Sequence, residues 1–263
     1  MNVLDFYRKK NAGEKISVIT CYDYTSARII AHTSADCVLV GDSVAMTMHG
    51  YKDTLSASLE MMCFHTSAVS RGIGNKFIVT DLPFLSYRKS LDENLSAVQM
   101  IVHAGAQAVK LEGAQGNLDL IRHLTESGVP VMGHLGLTPQ FIHVLGGYKV
   151  QGKTQESAIK LKEDALRLQE AGCFSLVLEC VPRQLAKEIT ASLSIPTIGI
   201  GAGVDTDGQV LVFQDLLGMN AEFSPKFVKK FVNGFDVLKD GINAYVAEVQ
   251  SGVFPHAEHS FDN

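Results

Sequence analysis

Short β-branched runs alternate with helix-period segments along most of the chain. Seven of these runs are typical of strands, and they lie at 15–23, 36–43, 76–84, 108–113, 129–139, 173–182 and 195–203. Between them, apolar residues recur at the three- and four-residue spacing of an amphipathic helix. Glycine closes several of these segments, where a left-handed residue ends a helix. Alternating β and α units predict a parallel sheet covered by helices.

An eighth unit in GQVLVFQDLLG, residues 208–218, is ambiguous between strand and helix. Seven β/α units and a possible eighth favour a closed (β/α)8 TIM barrel over an open sheet of five or six strands. The 263 residues, 46% of them hydrophobic, are enough to fill one such core. We therefore predict a single (β/α)8 barrel domain over residues 1–263, with the apolar segment 226–249 forming extra terminal helices packed outside the barrel.

Charged residues interrupt the predicted strand AVKLEG, residues 108–113. Lys110 and Glu112 stand two residues apart, so they project to the same face of a strand. Buried charges are rare unless they are paired or bind a ligand. A salt bridge between the two is one explanation. The other is that Lys110 binds an anionic substrate beside a metal bound by Glu112.

Titratable residues recur at the C-terminal ends of five predicted strands. They are Asp42 with Ser43 beside it, Asp81, Glu112, His134 and Glu179. In a barrel these ends converge on one mouth, where barrel enzymes have their active sites. The sequence therefore predicts one functional site built from several strands.

Three of these residues, Asp42, Asp81 and Glu112, are hard oxygen donors on neighbouring strands. Carboxylates without accompanying cysteines suit Mg²⁺, an octahedral ion that keeps several waters. The alternative for a single carboxylate such as Asp42 is that it caps the helix that follows. Three carboxylates at one mouth favour the metal.

The other rim residues have chemical roles that the sequence leaves open. Lys110 could form a Schiff base, but neighbouring carboxylates oppose the neutral amine this needs, which favours anion binding. His134 is either a satisfied core histidine or a catalytic or binding residue. Glu179 ends the apolar run FSLVLE, and a poorly hydrated carboxylate there suits a general base.

Composition removes several classes of protein. A net charge of −5 gives no electrostatic reason to expect nucleic acid. No run approaches the roughly 18 apolar residues of a membrane span, and the first 15 residues lack the apolar core of a signal peptide, so we expect a cytoplasmic protein. The five scattered cysteines form no C-x-x-C pair, which indicates reduced structural thiols.

Two glycine-rich stretches fail the motifs they approach. GIGAGV at 199–204 lacks the spacing of a dinucleotide fingerprint, and LGGYKVQGKTQES at 145–157 lacks the ending of a phosphate-binding P-loop. We interpret the second stretch as a mobile loop over the barrel mouth.

Ten motifs in order resemble the ketopantoate hydroxymethyltransferase family. They are CYDYTSA, VLVGDSVAMTMHGY, DLPFLSY, VKLEG, GHLGLTPQ, GGYKVQG, LVLECVP, IGIGAG, DGQVLV and EHSF, spread from about residue 3 to residue 261. One departure is YKDTLSAS at 51–58, where a proline near position 56 is expected.

The resemblance implies a phosphoenolpyruvate-mutase-like barrel, assembled as a homodecamer, that binds Mg²⁺ through Asp42 and Asp81 with Glu112 in or near its shell. It implies that 3-methyl-2-oxobutanoate contacts Asp42, Ser43, Asp81 and Lys110, and that Glu179 is the proton acceptor. The Mg²⁺-stabilised enolate would take a hydroxymethyl group from 5,10-methylenetetrahydrofolate, giving 2-dehydropantoate for pantothenate synthesis. His134 would bind substrate or product.

Two rival functions share this barrel. A Mg²⁺-dependent carbon–carbon lyase of the same superfamily would use a cysteine in a loop after a strand, a setting we expect for none of the five cysteines. A non-catalytic oxo-acid-binding barrel would keep the fold without turnover, and the intact rim residues weigh against it.

Overall fold

The computed structural model describes residues 1–221 and 225–261. The chain divides into two compact units, Met1–Val212 and Phe213–Asn263, each with its own internal contacts. The single domain expected over residues 1–263 stays a prediction.

In the first unit, the described residues form eight parallel strands closed into a barrel, with β1 paired to β8. The strands are β1 (Ile16–Thr20), β2 (Cys37–Val40), β3 (Phe77–Asp81), β4 (Ala108–Glu112), β5 (Val131–Gly136), β6 (Ser175–Glu179), β7 (Thr197–Ile200) and β8 (Gly208–Leu211). The predicted (β/α)8 fold is confirmed. The ambiguous segment 208–218 contains a strand followed by a short helix.

Helices alternate with these strands, as the apolar periodicity predicts. The helices of the first unit are α1 (Val3–Ala12), α2 (Tyr24–Ala31), α3 (Val44–Thr47), α4 (Leu59–Gly72), α5 (Leu91–His103), α6 (Leu118–Glu126), α7 (Ile142–Leu145), α8 (Gln155–Glu170) and α9 (Arg183–Ser192). Short 3-10 helices cover Thr54–Ser56 and Pro139–Phe141. Side-chain caps begin several helices; Ser90, for example, accepts the backbone N–H of Glu93 at the start of α5.

The barrel interior is apolar except at its carboxyl end. Residues that point inward from successive strands, such as Val18, Val79 and Met132, share one buried cluster. Helix α1 closes the opposite, amino-terminal end, where Phe6 packs edge-on against the rings of Phe77 and Phe174 at centroid distances of 5.7 and 5.1 Å. Polar side chains that could take part in a reaction therefore lie at the carboxyl end of the barrel.

The second unit contains α10 (Phe213–Leu216), α11 (Gly234–Ser251) and a 3-10 helix over Ala257–His259. The sequence predicted helices over 226–249, and the prediction is wrong for 226–233, which is irregular. Most side chains of α11 are exposed, including Leu238 and Ile242. No helix within the described ranges is long and apolar enough to span a membrane.

Candidate active site

The residues predicted to share a mouth lie at the carboxyl end of the barrel. Asp81, Glu112 and Glu179 are the last residues of β3, β4 and β6. His134 lies inside β5, and Asp42 follows β2, which ends at Val40 and so is shorter than the segment 36–43. The structure therefore places all the predicted rim residues at the same end of one barrel.

Strand β4 faces the barrel interior with both of its charged residues. Ala108 belongs to the interior apolar cluster, so strand alternation also turns Lys110 and Glu112 inward. The register aligns Lys110 with Asp81 of β3, and Glu112 with His134 of β5. The alternation argument made from AVKLEG is confirmed.

Lys110 forms its ion pair with a neighbouring strand. Its Nζ lies 3.0 Å from Asp81 Oδ1, and both side chains are buried. No ion pair joins Lys110 to Glu112 among the described residues, so the salt bridge considered for β4 is not formed. Burial opposes the charge of Lys110, but the carboxylates of Asp81, Glu112 and Asp42 outweigh it and raise the pKa of Lys110 above its usual value. A permanently charged Lys110 suits anion binding and disfavours Schiff-base chemistry.

The carboxylates beside Lys110 are crowded together. The backbone N–H of Asp42 donates to Asp81 Oδ2 over 3.0 Å. Burial, followed by the charges of Asp81 and Glu112, raises the pKa of Asp42 well above its usual value. Burial also raises the pKa of Asp81, although Lys110 acts to lower it. Three carboxylates surround one ammonium group in a buried site, so a further positive charge would be stabilised at this end of the barrel.

The donor set fits a hard divalent cation held by few protein ligands. Asp81 Oδ1 is buried and accepts no hydrogen bond, although Lys110 Nζ is close enough for an ion pair. Within the described residues, no three His, Cys, Asp or Glu side chains are grouped closely enough to hold a metal directly. Mg²⁺ commonly binds one or two carboxylates and completes its octahedron with water and substrate oxygens. Asp42 and Asp81 are therefore of the type that such a cation binds, and Glu112 is a further carboxylate of the same cluster.

His134 lies between two carboxylates inside the barrel. Its Nδ1 is 3.4 Å from Glu112 Oε1, and its Nε2 is 3.2 Å from Glu179 Oε2. Nδ1 also lies 3.3 Å from Lys110 Nζ. Burial and the charge of Lys110 act to lower the pKa of His134, but the interactions with Glu112 and Glu179 outweigh them and raise it to about 9. His134 thus connects the charged cluster around Lys110 to Glu179.

Glu179 is the most accessible acid of the predicted set, with 17% of its side chain exposed. Its backbone is fixed on both sides. Gly136 lies beside it with φ of +93°, and a Cβ at Gly136 would overlap the Glu179 carbonyl. Cys180, which follows Glu179, adopts the left-handed conformation with φ of +48°. Backbone strain of this kind is common at functional sites.

Ser43 lies three residues past β2, at the start of α3. Its hydroxyl is 2.7 Å from the hydroxyl of Tyr22, which is buried. Burial raises the pKa of Tyr22 to about 12, so Tyr22 is a neutral hydrogen-bonding partner. Tyr22 belongs to the CYDYTSA motif, but the sequence alone gave it no role.

The loop between α7 and α8 reaches both sides of the mouth. The backbone N–H of Gln151 donates to Cys180 O over 2.9 Å, and the Tyr148 hydroxyl lies 3.8 Å from Met46 Sδ. These contacts join the regions after β6 and β2, so the loop over the mouth covers 146–154, whereas 155–157 of the predicted loop begin α8.

The expectation for the cysteines is wrong in one respect. Cys21 and Cys180 each directly follow a strand, β1 and β6, a setting that the sequence had assigned to none of the five. All five are free. Burial raises the pKa of Cys21 to about 12 and that of Cys180 to about 11, so both remain protonated thiols at neutral pH.

Sequence reasoning missed Gln140, which contacts the carboxylates, and Tyr87, which contacts Gln140 and the backbone of Glu112. Gln140 Nε2 donates to Asp42 Oδ2 over 2.8 Å, and the Tyr87 hydroxyl donates to Gln140 Oε1 over 2.6 Å. Both residues lie in loops after strands, within motifs that carry the family resemblance. Uncharged residues in irregular segments give no periodicity signal, and only the motifs could have drawn attention to them.

Comparison with known proteins decides the family. The sequence model of the family described as ketopantoate hydroxymethyltransferase matches residues 1–257. The chain belongs to the ketopantoate hydroxymethyltransferase family.

Curated relatives agree with this membership along the whole chain. A 3-methyl-2-oxobutanoate hydroxymethyltransferase from Bdellovibrio bacteriovorus is 60% identical over 259 residues, which cover 98% of each chain. One from Coxiella burnetii is 57% identical, covering 98% of this chain and 97% of its own. The chain is thus an enzyme of the ketopantoate hydroxymethyltransferase family, a group of one-carbon transferases.

Solved structures place this hydroxymethyltransferase in a wider fold group. A phosphonopyruvate hydrolase solved with oxalate and Mg²⁺ covers 98% of this chain and 93% of its own, with a TM-score of 0.63 and 8% identity. A 2,3-dimethylmalate lyase of the PEP mutase/isocitrate lyase superfamily covers 93% of this chain and 98% of its own, with a TM-score of 0.58 and 15% identity. These similarities confirm the predicted phosphoenolpyruvate-mutase-like barrel.

Proposed function

We propose that the chain transfers a hydroxymethyl group from 5,10-methylenetetrahydrofolate to 3-methyl-2-oxobutanoate. The product would be 2-dehydropantoate, a precursor of pantothenate and coenzyme A. The names of the curated relatives support the oxo acid as acceptor. The observation that carries the proposal is the mouth itself, where a carboxylate cluster with a charged Lys110 adjoins the partly exposed Glu179.

The proposal includes a Mg²⁺ ion held by Asp42 and Asp81, with Glu112 in or near its shell. Support comes from the excess of buried carboxylates, since Asp42, Asp81 and Glu112 lie around the single ammonium group of Lys110. When bound, Mg²⁺ would supply Lewis-acid stabilisation of the negative charge that develops on the ketone oxygen of the oxo acid.

Binding of the substrate carboxylate is assigned to Lys110 and Ser43. The pKa of Lys110 is raised, so its ammonium group is available as a charge-assisted donor at neutral pH. Ser43 offers a hydroxyl whose position is set by its contact with Tyr22. Both residues stand beside Asp42 and Asp81, so an oxo acid bound here would lie next to the cation site.

Glu179 is the proposed general base. It would take the proton from C3 of the oxo acid, and the resulting enolate would attack the methylene carbon of the folate. Water supplies the oxygen of the new hydroxyl group, and tetrahydrofolate leaves. His134 Nε2 lies 3.2 Å from Glu179 Oε2, so a protonated His134 would pair with this carboxylate and lie within reach of substrate or product.

A turnover assay tests this function directly. The purified chain is incubated with 3-methyl-2-oxobutanoate and methylenetetrahydrofolate, and 2-dehydropantoate is measured by mass spectrometry. We expect product that is lost with EDTA and restored by added Mg²⁺. Cleavage of the oxo acid without folate would instead support the lyase alternative, and binding without any turnover would support the oxo-acid-binding alternative.

The proposal also includes a homo-oligomer, which the family resemblance makes a decamer. Helix α11 carries an apolar stripe at three- and four-residue spacing, formed by Phe235, Leu238, Ile242, Tyr245 and Val249, and every member is exposed. Stripes of this kind are normally covered in the assembled protein. A second copy of the chain would supply that cover.

We place the protein in the cytoplasm. All five cysteines are free, and three of them, Cys21, Cys37 and Cys173, are almost fully buried as thiols. Reduced, buried thiols are typical of proteins that work in a reducing compartment.

A further inference from the structure

We propose that Gln140 is a positioning residue that fixes the carboxylates of Asp42 and Glu112 for a bound cation, with Tyr87 holding Gln140 in place. This inference rests on the proposed cation site and extends it to two neutral residues. Gln140 is almost fully buried and belongs to the 3-10 helix Pro139–Phe141, which follows β5 at the barrel mouth.

Every polar group of the Gln140 side chain is used. Nε2 donates one hydrogen bond to Asp42 Oδ2 over 2.8 Å and a second to the backbone carbonyl of Leu82 over 3.0 Å. Oε1 accepts the hydroxyl of Tyr87 over 2.6 Å. The backbone N–H of Gln140 donates to Glu112 Oε2 over 3.0 Å. One residue therefore contacts both carboxylates.

These contacts allow only one orientation of the Gln140 amide. In the flipped orientation, Oε1 would face the Asp42 carboxylate and the Leu82 carbonyl, which are both acceptors. The amide nitrogen would then face the hydroxyl of Tyr87. Two acceptor contacts in a buried site are unfavourable, so the amide presents its donors to Asp42.

Tyr87 connects the two ends of this arrangement. Its hydroxyl accepts the backbone N–H of Glu112 over 3.4 Å while it donates to Gln140 Oε1. A continuous chain of bonds thus runs from the backbone of Glu112 through Tyr87 and Gln140 to Asp42.

The physical need for such a residue follows from the charges. Asp42, Asp81 and Glu112 repel one another, and without fixed donors the free carboxylates would turn apart before a cation arrives. Gln140 holds one oxygen of Asp42 and one of Glu112 and adds no charge of its own. Outer-shell partners of this kind orient metal ligands and tune metal affinity.

The test is a calorimetric titration of the full chain with MgCl₂ alone, without substrates. Gln140→Leu removes the side-chain bonds and keeps a similar size. We expect its Mg²⁺ affinity to fall about 10- to 100-fold, the usual cost of losing an outer-shell partner. The matched control is Thr190→Val, which also removes a buried side-chain bond, from Thr190 Oγ1 to the hydroxyl of Thr197, away from the mouth. Thr190→Val should bind Mg²⁺ as the wild type does.

Tyr87→Phe is the milder second variant, and it keeps the inference testable if Gln140→Leu does not fold. It removes the hydroxyl alone and leaves Gln140 in place, so we expect a loss in Mg²⁺ affinity of roughly two- to tenfold. The activity of either variant should recover as Mg²⁺ is raised, whereas general structural damage would not be reversed by the ion.

The outcomes separate this inference from the proposed function. Wild-type affinity for Mg²⁺ in Gln140→Leu, or in Tyr87→Phe if only that variant folds, would overturn the role of Gln140 and leave the cation site standing. A wild-type chain that does not bind Mg²⁺ would overturn both.

Discussion

At the scale of single residues, the main finding is how the charges of the mouth are divided. Lys110 pairs with Asp81 across two strands, while Glu112 contacts His134 and the backbone of Gln140. Two charges that stand two residues apart in the sequence therefore have different partners. In the proposed reaction Lys110 binds the substrate carboxylate, and Glu112 lies near the cation.

Lys110→Ala tests the first part of this division. Removing the ammonium group should raise the KM for 3-methyl-2-oxobutanoate roughly 10- to 100-fold, because a hydrogen bond between charged groups is lost. Mg²⁺ affinity should not fall, since a positive neighbour is removed. Steady-state kinetics and calorimetry measure the two effects, and the control is Lys160→Ala, which removes an exposed lysine of α8. A KM equal to that of the wild type would contradict anion binding by Lys110.

At the scale of elements, α1 closes the amino-terminal end of the barrel. Phe6 is fully buried between Phe77 and Phe174, and Lys9 and Lys10 fasten the same helix through ion pairs of 2.7 and 2.8 Å. Phe6→Ala should lower the free energy of unfolding by about 3–5 kcal/mol, because it leaves a cavity. Urea unfolding measures this, and Leu4→Ala, whose side chain is 75% exposed, should have little effect. Equal losses of unfolding free energy in Phe6→Ala and Leu4→Ala would show that α1 does not close the barrel end through Phe6.

Strand β5 affects the site through its last residue, Gly136. Gly136→Ala would place a methyl group against the Glu179 carbonyl and Val181, so Glu179 must shift. We expect kcat to fall about 100-fold, the effect of displacing a catalytic group by roughly 1 Å. Gly128→Ala is the matched control, because Gly128 also has a positive φ but an added Cβ there would meet open space. If both variants lose the same activity, backbone strain and not displacement is the cause.

The sequence predicts the elements well and their mutual contacts poorly. Period and turn residues are local properties, so seven of the eight strands and the shared face of Lys110 and Glu112 could be predicted from AVKLEG and its counterparts, while the eighth strand stayed ambiguous with a helix. The register between strands is not a local property of the sequence, and it places Lys110 beside Asp81. Gln140 was missed because an amide in a 3-10 helix gives no periodic pattern, and its role depends on contacts with Asp42, Leu82 and Glu112, which are distant in the sequence.

At the scale of the whole molecule, the exposed stripe of α11 predicts self-association. Ile242 is 63% exposed in the middle of the stripe, and Ile242→Lys should lower the mass of the particle in light scattering after size exclusion. Asp240→Lys introduces the same residue on the opposite side of the helix and should leave the mass unchanged. A monomeric wild type, or an assembly insensitive to Ile242→Lys, would contradict a role for this stripe.

The central claim, that Glu179 removes the C3 proton at a Mg²⁺-dependent site, is tested most directly by hydrogen exchange. The chain is incubated with 3-methyl-2-oxobutanoate in D₂O without folate, and deuterium at C3 is followed by NMR. We expect exchange that EDTA abolishes and that Glu179→Gln slows by about 100-fold or more, while Glu188→Gln on the surface of α9 exchanges normally. Exchange at the wild-type rate in Glu179→Gln would remove Glu179 as the base.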